Sequence, residues 1–324
     1  MFETFFGFTA APFLLTPDSR FFYGSTGHTR AIAHLVYGLA QEEGFIVVTG
    51  EVGAGKTTLV DQLWTRLDRN SFAIARIVTT RVSGDDLLRL AVAGFGAHLP
   101  PGADKAALLA AFEESVRNHR AAGRRCLLVV DEVQNLSLAA LEELRMLSNI
   151  TLDGRALMQT LLLGQPQFRA TIASPDMEQL RQRVLASYHL GPLDAEESRA
   201  YIEHRLARVG WGAHGMPDPA IEAAAFAAIF TATGGIPRRI NTLTGRVLLA
   251  AALEEQHVVT QALVENVAQE WRQDLGTEPI AETAPLTATM TERVARLEAG
   301  QAKQERIFRR LLALLGGQDT GGGT

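Results

Sequence analysis

Apolar positions keep two rhythms over the first 193 residues. Phe45–Thr49 is a short apolar run rich in β-branched residues, followed directly by glycines, and reads as a buried parallel strand. Further strand candidates are Phe72–Val78, Cys126–Val130, Met158–Leu163 and, more weakly, Ser187–Leu190. Between them apolar residues recur at helical spacing. Ile32, Leu35, Val36 and Leu39 lie in a helix that stops near Gly44, and segments 85–97, 105–120 and 138–147 follow the same rule. Strands alternating with helices predict an α/β fold, a parallel five-stranded sheet covered by helices on both faces.

After Leu193 the strand pattern stops. Asp194, with Glu197 three residues on, has capping-box spacing and opens a helix to about Val209. Helical patterns at 219–232, 238–253 and 260–273 complete an all-helical unit over 194–273, which leaves 1–193 as the α/β unit. Residues 274–289, rich in Thr, Pro and Ala, read as a linker, and 316–324 as a glycine-rich disordered tail. Between them, over 290–315, Met290, Val294, Leu297, Gln301, Gln304, Phe308, Leu311 and Leu315 form a heptad stripe. The stripe spans fewer than four heptads and carries two glutamines on its seam. A docking or oligomerising coiled-coil helix and a merely amphipathic tail are equal readings of it.

Eight of the 22 aromatic residues fall in the first 23 positions, from Phe2 to Tyr23. A free tail would not concentrate aromatics in this way, so segment 1–26 is expected to pack on the α/β unit. Pro12, Pro17, Asp18 and Gly24 make it loop-like rather than helical. Its aromatics either fill a seam or shape a ligand pocket.

Composition narrows the partners. Apolar residues make up 47% and charged residues 21%, which excludes wholesale disorder. Thirty-one basic against thirty-six acidic residues give a net charge of −5, which disfavours a surface devoted to nucleic acid. The single cysteine, Cys126, cannot form an internal disulfide and reads as a small core residue of a protein in a reducing compartment. No run approaches the roughly 18 apolar residues that cross a bilayer, and the N-terminus, with Glu3, lacks the pattern of a secretory signal. The expected location is cytoplasmic, with any attachment to the inner membrane peripheral and through a partner.

The chemistry is concentrated in two motifs. Gly50-Glu51-Val52-Gly53-Ala54-Gly55-Lys56-Thr57 matches G-x-x-x-x-G-K-[ST] in full, between a strand and a helix. The glycines permit turns that aim backbone N–H groups at phosphate oxygens, and the helix adds the positive end of its dipole. Lys56 can bridge β- and γ-phosphates, the Thr57 hydroxyl can ligate Mg²⁺, and Thr58 continues the first turn beside them. The run Cys126–Val130 ends in Asp131 and Glu132. Beside such a loop, Asp131 is placed to hold Mg²⁺ and Glu132 to activate the attacking water. The eight histidines show no metal-ligand spacing, and there is no G-x-S-x-G elbow, so zinc and serine-hydrolase chemistry find no support. Arginines in Leu180-Arg181-Gln182-Arg183-Val184 and in Gly234-Gly235-Ile236-Pro237-Arg238 are candidates to neutralise a transferring phosphoryl group.

Together these residues resemble the AAA+ ATPases over residues 1–272. More narrowly they are similar to the ExeA/GspA-type general secretion ATPases. The segments that carry this are Phe5–Phe8, Pro12-Phe13, Phe21–Tyr23, Gly50–Thr57, Val130–Leu136, Leu163–Pro166, Leu180–Val184 and Gly234–Asn241. Glu142–Asn149 and Tyr188–Leu193 resemble the subfamily linked to exosortase (PEP-CTERM) and exopolysaccharide loci. The resemblance implies ATP and Mg²⁺ as cofactors. It implies a polar sensor at Gln165, a second sensor at Arg238, and an arginine supplied in trans, Arg183 with Arg181 as the alternative. A finger in trans implies a homo-oligomer, ring or filament, with shared active sites. Relatives often continue into a membrane span and a peptidoglycan-binding module, whereas this chain is expected to end in the linker, helix and tail. Three readings follow: an ATP-driven factor that remodels or assembles a secretion, export or protein-sorting system; a DNA-associated ATPase of the transposition-regulator or initiator type; and a nucleotide-gated scaffold.

Overall fold

A computed structural model describes residues 2–274, apart from 17, 69, 79–82, 99–101, 214 and 216. The expected linker beyond Asp274, the heptad helix 290–315 and the tail 316–324 lie outside the described residues. The described residues divide into two compact units, one within 18–193 with 236–238, the other within 2–16, 194–235 and 239–274.

In the α/β unit, helix α1 (Thr26–Ala40) starts where the Ser25 hydroxyl accepts the His28 N–H. Strand β1 (Phe45–Gly50) follows, then α2 (Lys56–Arg66), β2 (Phe72–Ile77), α3 (Gly84–Gly94), α4 (Lys105–Ala121), β3 (Arg125–Val130) and α5 (Leu138–Leu147). Strand β4 (Met158–Gly164), helix α6 (Gln167–Ala173) and strand β5 (Val184–Leu190) complete the unit. The five strands are parallel in the order β2-β3-β4-β1-β5. Every residue of β1 and β4 is buried, because helices cover both faces of the central strands.

Alternation along the strands splits the core in two. Phe45, Val47, Leu128, Val130 and Leu162 face one layer with Leu87, Leu88, Phe112 and Leu144. Ile46, Val48, Leu127, Val129, Leu161 and Leu163 face the other with Leu35, Leu39, Leu59 and Leu63. Cys126 is buried in the first layer, and desolvation pushes its thiol up to about 12.

Several expectations change. The weak fifth strand begins at Val184 rather than Ser187; as an edge strand it alternates buried and exposed residues and so lacks a continuous apolar run. A small hairpin, Thr151-Leu152 with Arg155-Ala156, turns through Asp153 and Gly154, both at positive φ. Phe2–Phe5 forms a helical turn where a loop was expected. The first sixteen residues belong with the helical unit, not the α/β unit.

The helical unit contains α7 (Ala195–Ala207), α8 (Ala223–Thr233), α9 (Pro237–Leu253, past its first two residues) and α10 (Gln261–Asp274). It is not wholly helical: Ala220-Ile221 pairs in parallel with Val258-Val259. That pairing takes up the residues after Pro219, so α8 starts later than the sequence pattern suggests, with Glu222 at its N-cap. The aromatic segment is held by polar and apolar contacts together. Arg205 is buried, stacks on Phe13 and donates to the Pro12 carbonyl at 2.5 Å. It also donates to the Tyr201 hydroxyl at 2.9 Å, which in turn donates to Asn241 Oδ1 at 2.8 Å. Phe5 stacks on His257, whose Nδ1 lies 2.8 Å from Asp218.

Two outcomes follow. A thiol-specific reagent should leave Cys126 unmodified in the native protein and react only on unfolding, as absorbance of the released chromophore would report. Tyr201→Phe removes the hydroxyl that accepts from Arg205 and donates to Asn241, and should cost about 1–3 kcal/mol in urea unfolding.

Candidate functional site

The C-terminal ends of β1, β3 and β4 meet at one edge of the sheet. Register fixes this: Thr49 pairs with Gly164 and Gly50 with Leu190, while Val130 pairs with Leu162. Ligand crevices of open parallel sheets lie at this edge. The loop from Gly50 to Gly55 leaves β1 here and delivers Lys56 and Thr57 at the start of α2.

The loop's glycines have different reasons. Gly53 and Gly55 take positive φ, +84° and +97°. A Cβ on Gly53 would also stand 2.3 Å from Arg238 Cβ. Gly50 needs no unusual φ; a Cβ there would meet the Leu190 carbonyl oxygen at 2.5 Å. For Gly50 the expected freedom of backbone turn is thus replaced by close approach to β5. Glu51 and Val52 are exposed at the tip, and Ala54 is buried.

Lys56 is buried and donates to the carbonyls of Gly50 at 2.7 Å and Glu51 at 3.0 Å. Burial holds its pKa below the ordinary lysine value, opposed by the charges of Glu132, Asp131 and Glu51. The Thr57 hydroxyl donates to Asp131 Oδ2 at 3.1 Å. A hydroxyl and one carboxylate side by side are the hard-oxygen pair that suits Mg²⁺, which takes its remaining ligands from phosphates and water. Among the described residues no group of three or more His, Cys, Asp or Glu could hold a metal without such help. Thr58 sits beside them on α2.

Glu132 follows in a left-handed conformation, φ 51° and ψ 40°. Its Oε2 accepts from Gln134 Nε2 at 2.5 Å and from Gln165 Nε2 at 3.1 Å. The Gln165 backbone N–H donates to Gln134 Oε1 at 2.9 Å, which closes the triangle. Gln165 leaves the end of β4, so sheet register brings it to the carboxylate across 33 residues of chain.

Arg238 also reaches the loop: its backbone N–H donates to the Gly53 carbonyl at 3.2 Å. Arg183 does not. Its carbonyl accepts from Phe45 at the opposite end of β1, roughly 17 Å along the strand from Gly50 at 3.3–3.4 Å per residue. There its guanidinium donates to the Ser148 hydroxyl at 3.0 Å. Arg181 pairs instead with Glu178.

Three residues of this region escape a motif-based reading. Gln134 clamps Glu132, and only its position two residues past the acidic pair marks it. Arg76 reaches Asp131 from β2 at 3.4 Å. His28, whose Nδ1 lies 2.7 Å from Ser25 Oγ, stands with Nε2 2.8 Å from where a Gly55 Cβ would be. Phe22 packs edge-on against its ring at 5.6 Å. No local pattern announces either of the last two.

Known proteins share this fold. A family model described as an AAA domain matches residues 39–172. General secretion pathway protein A of Aeromonas hydrophila is 36% identical over 274 residues, 83% of this chain and 48% of the relative. The chain therefore spans about half the length of that curated relative. Among solved structures, Cdc6p from Pyrobaculum aerophilum has a TM-score of 0.62 at 16% identity, covering 82% of this chain and 75% of that one. The ORC2 protein of Aeropyrum pernix, solved as ADPNP and ADP complexes, has a TM-score of 0.56 at 19% identity, covering 75% and 66%.

Gln134→Ala takes a donor from Glu132 and the acceptor from the Gln165 backbone. Steady-state hydrolysis should fall roughly 10- to 100-fold, since small misplacement of a reacting group costs that much. Equilibrium binding of a fluorescent ATP analogue should stay within twofold of wild type. The chain has the P-loop AAA+ fold, with an AAA domain over residues 39–172.

Proposed function

We propose that this chain is a Mg²⁺-dependent ATP hydrolase of the general secretion kind, coupling ATP binding and hydrolysis to the remodelling or assembly of a secretion, exopolysaccharide-export or protein-sorting system. The observation that carries the chemical half is the meeting of Lys56, Thr57, Asp131, Glu132 and Gln165 at one sheet edge. Lys56 and the loop from Gly50 to Thr58 bind the phosphates, Thr57 and Asp131 hold the cation, and Glu132 activates water under the hand of Gln165. Arg238, seated on Gly53, senses the phosphates from the start of α9. The pathway half rests on the 36% identity to General secretion pathway protein A.

Arg183 serves a neighbouring subunit. Its place at the far end of β1 keeps it from its own phosphate loop, and this supports a ring or filament with shared sites. No helix of the described residues is long and apolar enough to cross a membrane, and the reading places the chain on the cytoplasmic side, in contact with a protein of the export system. The exosortase and exopolysaccharide connection rests on the segments Glu142–Asn149 and Tyr188–Leu193. A DNA-directed role has less behind it: the likeness to Cdc6p and ORC2 is a likeness of fold, and the net charge is −5.

Mutant hydrolysis tests this. Lys56→Ala should lose nucleotide binding, and Glu132→Gln should bind ATP yet turn over at least 100-fold more slowly, as loss of a general base does. Arg183→Ala should bind normally and fail to hydrolyse, and mixing it with Lys56→Ala protein should restore part of the activity. Identical behaviour alone and mixed would sink the shared site. Stimulation by DNA with a steep salt dependence would move the chain to the DNA-directed class.

A further inference from the structure

Arg76 and Asp61, which the roles above leave unused, form a charge cluster with Asp131. Arg76 lies in register with Val129, on the face of the sheet that α2 covers. Its guanidinium forks: Nη2 lies 3.4 Å from Asp131 Oδ2, and Nη1 lies 3.4 Å from Asp61 Oδ1, one turn into α2. The Asp131 oxygen it reaches is the same one that accepts the Thr57 hydroxyl. That oxygen belongs to the pair suited to a hard cation.

A guanidinium and a divalent cation are drawn to the same carboxylate and repel each other at such range. Asp131 is buried, so the contest is little screened, whereas the Asp61 side chain is 45% exposed and offers Arg76 an alternative seat toward solvent. We propose that Arg76 is a positioning residue that sets the Mg²⁺ affinity of this site, competing with the cation for Asp131 Oδ2 while Asp61 draws it away. The proposal rests on the reading of Thr57 and Asp131 as the metal pair. Arg76 touches neither phosphate nor water in this role; it acts through Asp131 alone.

The two partners of Arg76 give variants with opposite expected effects. The full chain would be loaded with a fluorescent ATP analogue and titrated with Mg²⁺, reading the concentration at half of the binding signal. Arg76→Gln should lower that concentration roughly tenfold, in the range that outer contacts of a metal site command. Asp61→Asn should raise it roughly threefold, as loss of an exposed charge partner does, by leaving Arg76 on Asp131. The double variant should follow Arg76→Gln, because Asp61 acts only through the arginine. Arg76→Lys keeps the charge and should stay within twofold of wild type, which serves if Arg76→Gln does not fold. A merely structural Arg76 would lower the thermal midpoint and leave the Mg²⁺ half-point unmoved, and that result overturns the proposal. So do shifts of both single variants in one direction. Were wild-type binding indifferent to Mg²⁺, or unchanged in Lys56→Ala, the metal-site reading itself would fall and the Arg76 proposal with it.

Discussion

The register between buried parallel strands is the constraint on which the rest of this molecule depends. Thr57 and Asp131 stand 74 positions apart in the chain and 3.1 Å apart in space. Neither is steered there by its neighbours in sequence. Pairing of β1 with β4 and of β4 with β3 sets the height at which each strand ends, and residues just past those ends must meet. A one-residue slip would exchange the two core layers, burying the wrong face of β1 and β4 against each helix layer. The apolar contacts of Leu161, Leu162 and Leu163 with opposite layers thus hold the polar site to its geometry. Packing specifies the register, and the register specifies the chemistry.

Within that frame the polar groups satisfy each other. Lys56 is buried but donates to two carbonyls, and three carboxylates act on it from nearby, so the cost of desolvation is offset in part. Glu132 carries a different cost. A non-glycine residue in the left-handed region stores on the order of 1 kcal/mol or more, and it persists only where its surroundings hold it. Here two glutamine amides grip one carboxylate oxygen, and the Asp131 carboxylate accepts the Glu132 backbone N–H at 2.9 Å. The strain aims the carboxylate along the sheet edge toward Gln165 rather than back into β3. A conformation that would be a defect elsewhere holds this carboxylate at the sheet edge beside Asp131 and Gln165.

How much of this was legible in the sequence depends on the range of the interaction concerned. The phosphate loop is local: glycines, lysine and threonine lie within eight consecutive positions, and their meaning survives without a fold. Asp131 and Glu132 were legible because a central strand is apolar until it ends. The fifth strand shows only its last residues in the sequence because an edge strand alternates, and Pro12 and Pro17 give the whole aromatic stretch, Phe2–Phe5 included, the look of a loop. Gln134, Arg76 and His28 were not legible, since each gains its role from a contact set by tertiary packing. Gly50 closes β1, and what forbids a side chain there is the carbonyl of Leu190, 140 residues on, rather than the backbone turn that its motif suggests. Where the aromatic segment belongs was equally hidden, because aromatic content says that a segment packs without saying on what.

The helical unit shows how that question is decided physically. Aromatic surface alone would accept many apolar partners, since burial is non-directional. Arg205 supplies direction. Its guanidinium is buried, and a buried charge is costly unless its donors are met. The Tyr201 hydroxyl, one turn back on the same helix, meets one donor wherever the segment lies; the Pro12 carbonyl and Phe13 ring meet it only when the segment lies at one position along α7. Asn241 on α9 then completes the set by accepting from Tyr201 and donating toward the Leu14 carbonyl at 3.4 Å. A slip of one residue in either direction would keep most of the apolar contact and cost Arg205 its bond to the Pro12 carbonyl. The net stabilisation from such a network is small by comparison with the aromatic burial around it. Its effect is on uniqueness: the aromatics hold the segment down, and Arg205 fixes where.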